Sequence, residues 1–514
     1  MPLCLCVRNG FEHKDTIEYF FQSLKFSIHR INLYMRVLRV IVLFLFLAKS
    51  ASLLAQDTRI AADTSQPALS DIIASKNMPV IIGEINLSGN KKTKAPIVLR
   101  EIPFLKGERL VEGDLEKQLI LAKQQLINTA LFVEVNVYVA LRKGNVVSIN
   151  VDMKERWYLF PLPYFRLVDR NFNQWWVEQK RSLDRVNYGI KFIQNNASGR
   201  NDEVDIWLIN GYTQQVTLRY NLPFFDKKLK SGFNVGMVYA TQKELNYATG
   251  DNKQLFFKQE QQVVKKALRL DFTYSYRPDV KQRHYFRVSY NNEQVADTVL
   301  KINPLYYPDQ RSQVKFIDFG YQYKYYNVDY ISYPSKGFLF EGNLYKRGLD
   351  NISNLWQASI RAVYAVPFSK TSFLHLEGLA MGKLPFNNYF LNQRLFGYGN
   401  FQMRGLEYNV VDGMVGASLK STVHKEILSF ILHNPFPSKT HDKIPFRIFL
   451  KAYGDLGYAY TRNPNSTNTL NNTLLRTWGF GMDIISIYDF VFKIEYSFNQ
   501  LGKDGLYLQT RNDF

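Results

Sequence analysis

The chain has 514 residues and a formal net charge of +20, with 33 Tyr and 38 Phe. Its mean hydropathy is only −0.24 although 15% of its residues are aromatic. That combination fits strands with one face in lipid and one in water better than it fits a soluble enzyme. No Lys/Arg run and no zinc spacing accompanies the positive charge, which argues against a nucleic-acid partner. The two cysteines, Cys4 and Cys6, leave the rest of the chain without a disulfide framework or a thiolate metal site.

The first feature along the chain is "MRVLRVIVLFLFLAKSASLLAQ", Met35 to Gln56. Arg36 and Arg39 precede an apolar run, Val40–Ala48, and small residues from Ala51 to Ala55 follow, the arrangement of a secretory signal peptide cleaved after Ala55. The apolar run is too short to span a bilayer as a helix. Translation is then expected to start at Met35; the other reading is a cytoplasmic extension with one anchor helix. Residues 56–78 are short, polar and rich in small residues, and read as a linker.

Residues 79–154 are expected to form a small α/β domain. "VIIGEINLSGN" (Val80–Asn90) reads as a strand closing on a Gly-Asn turn. "TKAPIVLREI" opens a helix with Thr93 as its cap and Pro96 in the first turn. Leu115, Leu119, Ala122 and Leu126 follow at helical spacing. Two strands come next, with Val133, Val135, Val137 and Val139 on one face of the first and Val147, Ile149, Val151 and Met153 on one face of the second. Lys143–Asn145 turns between them. "INLSGNKKTKAPIVLREI" together with "LINTALFVEVNV" resembles a POTRA domain, the polypeptide-transport-associated module of the periplasm. Gly89 and Asn90 match the family's turn after its first strand. Ala130 stands where the family usually has glycine.

From residue 155 to 514 the texture changes to alternation. "FVFKIEYSFNQ" places Phe490, Phe492, Ile494, Tyr496 and Phe498 on one face, and Lys493, Glu495, Ser497 and Asn499 on the other. "LRLDFTYSYR" and "FRIFLKAYGDLGYAY" behave alike. Roughly sixteen such segments are expected. The fold class is therefore mainly β: a sixteen-stranded antiparallel transmembrane β-barrel preceded by one small α/β domain.

Between the eleventh and twelfth strands lies "PFNNYFLNQRLFGYGNFQMRGLEYNVVDG", too long for a simple hairpin and so expected to be functional. Gly397, Gly399 and Gly405 suggest tight backbone turns. This stretch resembles the inward-folding loop of the BamA/TamA outer-membrane assembly family. The resemblance carries the family's tip arginine onto Arg404 and its glycine onto Gly405. Met403 replaces the usual valine and Leu406 the usual aromatic, both keeping apolar volume. It further implies that Arg404 pairs with an acid on the inner wall two strands downstream of the element before the loop. "GDLG" supplies Asp455 and Gly457 there. Asp455 shares parity with Arg447 and Lys451, opposite to Ile448 and Leu450, and so faces inward. The other readings are a solvated loop arginine beside polar wall lining, and Glu407 as a lesser partner.

The first barrel segment carries Pro161 and Pro163, each removing a ladder donor. The last, "DGLYLQTRNDF", alternates weakly through Leu506 and Leu508 and ends on the aromatic Phe514. The resemblance implies a gate seam between these two strands; otherwise the prolines only mark a domain junction. No His-x-x-x-His, phosphate loop or nucleophile elbow is present, so no catalytic residue, metal or cofactor is expected. Asp202 and Glu203 read as loop charges.

The resemblance implies a bacterial outer-membrane protein with its POTRA domain in the periplasm, inserting β-barrel proteins or moving polypeptides. Its implied partners are unfolded outer-membrane or secreted polypeptides, outer-membrane lipid and lipopolysaccharide, and periplasmic chaperones or accessory lipoproteins. The rivals are a passive channel and a two-partner-type secretion pore.

Overall fold

The computed structural model describes residues 78–168, 174–178, 180–259, 262–349, 354–387, 389–399, 401–433 and 443–510. The expected signal peptide, both cysteines, the linker up to residue 77 and Phe514 lie outside the described residues.

The first part is a four-stranded α/β unit. In chain order it comprises β1 (Pro79–Ser88), α1 (Ala95–Leu99), β2 (Arg109–Val111), α2 (Glu112–Ile127), β3 (Phe132–Lys143) and β4 (Val146–Glu155). The sheet order is β2-β1-β4-β3, with β1 and β4 parallel. The short strand β2 was not expected. Leu115, Ala122 and Leu126 of α2 pack on Val147, Ile149, Val151 and Met153 of β4 in one buried cluster. A register shift between Phe132 and Glu134 puts Phe132, not Val133, into that cluster.

Thr93 does not cap α1. The N-cap is Lys94, without a side-chain cap bond. The Thr93 backbone N–H and hydroxyl instead donate to the Glu155 carboxylate at 2.7 and 2.6 Å, so a partner 62 residues away outcompetes the local turn. At Gly89, φ is +82°, and a Cβ there would sit 1.7 Å from the Met153 carbonyl oxygen, which only glycine avoids. Ala130 adopts the left-handed φ of 58° at the position where the resembled family uses glycine.

The second part is a sixteen-stranded antiparallel sheet. Its first half runs β5 (Leu159–Leu167), β6 (Val186–Asn195), β7 (Glu203–Gly211), β8 (Thr213–Leu222) and β9 (Ser231–Gln242). A separate hairpin, β10 (Glu244–Gly250) with β11 (Lys253–Lys258), stands off the sheet. The ladder resumes with β12 (Lys265–Tyr276), β13 (Gln282–Val295), β14 (Gln313–Val328), β15 (Gly337–Arg347), β16 (Leu355–Pro367) and β17 (Ser372–Leu384). A two-stranded element inside the long loop, β18 (Arg394–Phe396) and β19 (Val411–Asp412), precedes β20 (Val415–His433), β21 (Lys443–Tyr460), β22 (Leu474–Ile485), β23 (Val491–Asn499) and β24 (Asp504–Thr510). Neighbours in the ladder are consecutive sheet strands from β5 to β24. No β5–β24 pairing occurs among the described residues, and among these β5 and β24 each keep one edge without a partner strand.

Period-two alternation separates the faces of this sheet. On β21, Phe449, Lys451, Tyr453, Asp455 and Ala459 are buried, while Leu450, Leu456, Tyr458 and Tyr460 are exposed. Leu270, Phe272, Phe286, Val288, Trp356, Ile360, Trp478 and Phe480 continue the exposed apolar face. The opposite face carries charge, and it curls on itself. Tyr333, after β14, donates to Asp483 on β22 at 2.8 Å.

The two ends of the sheet differ. Connections at one end are short: residues 223–230, 277–281, 329–336, 368–371 and 486–490. Those at the other end include 243–264, 296–312, 385–414 and 461–473. The α/β unit docks on the short-turn end. Phe224 and Tyr158 join its buried cluster, and Arg277 forks onto Glu101 with two 2.6 Å bonds. Arg156 reaches Asp489 at 3.0 Å. Burial pushes the Tyr158 hydroxyl up to about 12, so it stays a neutral partner 3.1 Å from the Thr93 hydroxyl.

Candidate functional site: a loop docked on the inner face

The loop 385–414 leaves the long-connection end after β17 and returns to it at β20. Between those points its chain descends along the inner face. Arg404 reaches Asp455, five residues below the end of β21, a drop of about 17 Å at the rise of an extended strand. Two structural devices shape the descent. Gly397 and Gly399 take φ of 81° and 61°, and the Gly397 N–H donates to the Phe401 carbonyl at 2.8 Å, closing a tight turn. Phe396 and Phe401 stack across it with ring centroids 4.5 Å apart. Below the turn, Met403 and Leu406 are buried with Leu395, Val411, Ala459 and Leu475.

At the tip the structure brings Arg404 and Asp455 together. Arg404 Nε donates to Asp455 Oδ2 at 2.8 Å, and Nη2 donates to Oδ1. The third nitrogen, Nη1, donates to the Thr422 hydroxyl at 2.9 Å. The guanidinium lies over the Tyr453 ring, 3.9 Å from its centroid. The Asp455 side chain is fully shielded and that of Arg404 is 15% exposed. A planar fork held at both carboxylate oxygens and backed by an aromatic face leaves the arginine one orientation.

The glycines next to this pair have steric reasons. Gly405 has φ of +79°, and a Cβ on it would lie 3.0 Å from the Phe498 carbonyl oxygen. Its own carbonyl accepts from Asn499 Nδ2 at 2.6 Å. A Cβ on Gly457 would fall 2.3 Å from Met403 Sδ. Gly457 is thus the socket for the residue before Arg404.

Glu407 takes no part in the fork. It accepts from Gln509 Nε2 at 3.4 Å, and the same amide donates to Glu495 at 3.2 Å. Tyr408 meets Tyr507 with centroids 5.8 Å apart. Through these contacts the loop touches the inner face of β24. Thr422, Tyr453 and Asn499 were missed by the sequence reading. Tyr453 and Asn499 share the inward parity of Asp455 and Glu495, and Thr422 pairs with Tyr453 in the β20–β21 register, a relation visible only once strands are aligned.

Pro161 and Pro163 lie on β5 and Leu506 and Leu508 on β24, so they occupy the two open edges. The Asn195 N–H donates to the Tyr158 carbonyl at 2.7 Å, and the Val168 N–H to the Arg185 carbonyl at 3.0 Å. Hydrogen-bonded pairs recur at every second residue, so even-numbered residues of β5 bond β6. Odd-numbered ones, both prolines included, face the open edge and strip two donors from it. On β24 the Asn499 N–H donates to the Lys503 carbonyl at 3.0 Å. By the same reasoning the even-numbered residues of β24, Leu506 and Leu508 among them, turn their backbone groups away from β23.

The chain matches no family model and no curated protein. Among solved structures, CdiB from Escherichia coli aligns with a TM-score of 0.50 at 9% identity, over 84% of this chain and 76% of that one. BamA from Haemophilus ducreyi lacking POTRA domains 1–3 aligns at 0.45 and 14% identity, over 84% of each chain. CdiB from Acinetobacter baumannii aligns at 0.42 and 13%, over 83% and 73%. Identities this low speak to fold alone, and the fold rests on the first of these matches together with the sixteen-strand ladder. The chain has the barrel fold seen in CdiB from Escherichia coli.

Proposed function

We propose that this protein sits in a bacterial outer membrane and assembles barrel proteins there or passes polypeptides through it. The observation that carries this reading is the pair of open strand edges, one stripped of two donors by proline and the other held from inside by the Arg404 loop. An exposed edge is a template for an incoming strand. The exposed apolar face supports placement in lipid, and the short-turn end with its α/β unit supports a periplasmic orientation, since barrels of this kind keep short turns inside and long loops outside. The α/β unit, read as a POTRA domain, offers the free edge of β3 to extended clients.

A passive channel fits less well. The hairpin β10–β11 covers the long-connection end, where Asn252 bonds Val410, Asn468 and Leu470, and the docked loop lies along the inner face of β20–β24. A two-partner-type secretion pore remains the narrower form of the same reading. The test is reconstitution of the purified protein in lipid vesicles with a urea-unfolded barrel client. Faster client insertion than in empty vesicles, with photo-crosslinks from β24 to the client, is expected. Solute leakage without either effect would favour the channel.

A further inference from the structure

Most cations on the inner face have an acid in reach. Arg361 bridges Glu341 and Glu377, Lys420 bonds Glu377, Lys324 reaches Glu341, and Lys451 sits between Asp483 and Glu495. Part of the inner face of β12–β16 departs from this pattern. A cavity of about 580 Å³ opens on the inner face of β12–β16 and is lined by Arg269, Arg287 and Arg347 from three different strands. Arg287 has no hydrogen bond or ion pair among the described residues. For Arg269 the nearest acid is Asp271, at 3.8 Å. Arg347 bonds only neutral oxygens, those of Tyr345 and Asn392.

The acids nearby are engaged elsewhere or shared. Glu293 pairs with Lys265 at 2.9 Å and accepts from Tyr307. Asp318, on the cavity wall, accepts from Asn291 at 2.9 Å with one oxygen and leaves the other without a hydrogen bond. Asp271 is shared with a fourth arginine, Arg219, at 3.9 Å. Register explains the convergence. Arg219, Gly236, Asp271, Ser289, Asp318 and Arg347 form one continuous cross-strand row. Arg287 lies in the next row, opposite Gly320, which offers no side chain to cover it. The glycine leaves the guanidinium facing the cavity.

We propose that this cavity binds a phosphoryl group, carried on a sugar or free as phosphate. Guanidinium forks from separate strands match a tetrahedral anion with several acceptor oxygens. The volume exceeds a single phosphate and lies within the range of small-molecule sites. Amides of Gln322, Asn343 and Gln357 on the same walls suit sugar hydroxyls.

The experiment is isothermal titration of the full chain, in a phosphate-free detergent, with inorganic phosphate, glucose 6-phosphate, glucose and sodium chloride at matched ionic strength. Saturable binding of the two phosphates but not of glucose or chloride is expected, roughly tenfold weaker in Arg287→Gln. Tighter binding of glucose 6-phosphate than of phosphate assigns the site to a phosphorylated sugar; equal binding assigns it to the free ion. Without anion, Arg287→Gln should melt no lower than the wild type, since it removes a guanidinium that makes no hydrogen bond or ion pair among the described residues. Absence of saturable phosphate binding, unchanged binding in Arg287→Gln, or a lowered melting temperature without anion would each overturn the proposal.

Discussion

Arg404 and Asp455 meet across 51 residues of sequence as a two-point fork, with Nε 2.8 Å from Oδ2 and the carboxylate closed to solvent. Removing one partner strands the other charge in a desolvated site, a loss of about 3–5 kcal/mol. Asp455→Ala and Arg404→Ala are each expected to lower the unfolding midpoint and to expose the loop 385–414 to protease. Arg404→Lys should rescue little, since one ammonium cannot make the fork and the Thr422 bond together. The double variant should cost clearly less than the two singles added. Additive losses in that cycle would mean the two residues do not act as a pair.

Gly457 is expected to tolerate no side chain while Met403 occupies its socket. Gly457→Ala should destabilise by about 1–3 kcal/mol through overpacking. Adding Met403→Val, which withdraws the sulfur, should recover much of that loss. Thermal unfolding of the three variants in detergent reads this directly, and no recovery in the double variant would refute the socket.

At Ala130 the left-handed backbone disfavours any side chain. Ala130→Gly removes that cost and adds unfolded-state entropy, so the expected change runs from neutral to about 1 kcal/mol more stable. A clear loss of stability would show that the methyl group packs where the backbone geometry gives it no reason to.

Pro161→Ala with Pro163→Ala restores two donors to the open edge of β5. Closer pairing with β24 should follow, seen as roughly tenfold slower hydrogen exchange at the Leu508 amide. Client insertion should slow in the same variant. Unchanged exchange would mean that donor loss does not hold the edges apart.

Much of this arrangement was legible in the chain because a strand's period of two is a local property. Alternation alone counted sixteen segments, located the long loop between the eleventh and twelfth, and turned Asp455 inward with Lys451. What stayed hidden depends on contacts distant in sequence. Thr93 looks like a helix cap until Glu155 arrives from the end of β4. Gly457 was legible as a strand residue beside Asp455, but that it is small because Met403 docks on it was not. The hairpin β10–β11 alternates like the rest but leaves the sheet. The row from Arg219 to Arg347 emerges only when six strands are set in register.

The most direct measurement is depletion of this protein followed by quantitative mass spectrometry of the outer membrane, with complementation by wild type and by Arg404→Ala. The account predicts reduced levels of other barrel proteins, or of a particular secreted or surface protein, restored by wild type and not by Arg404→Ala. An unchanged protein complement alongside altered uptake of small solutes would contradict it.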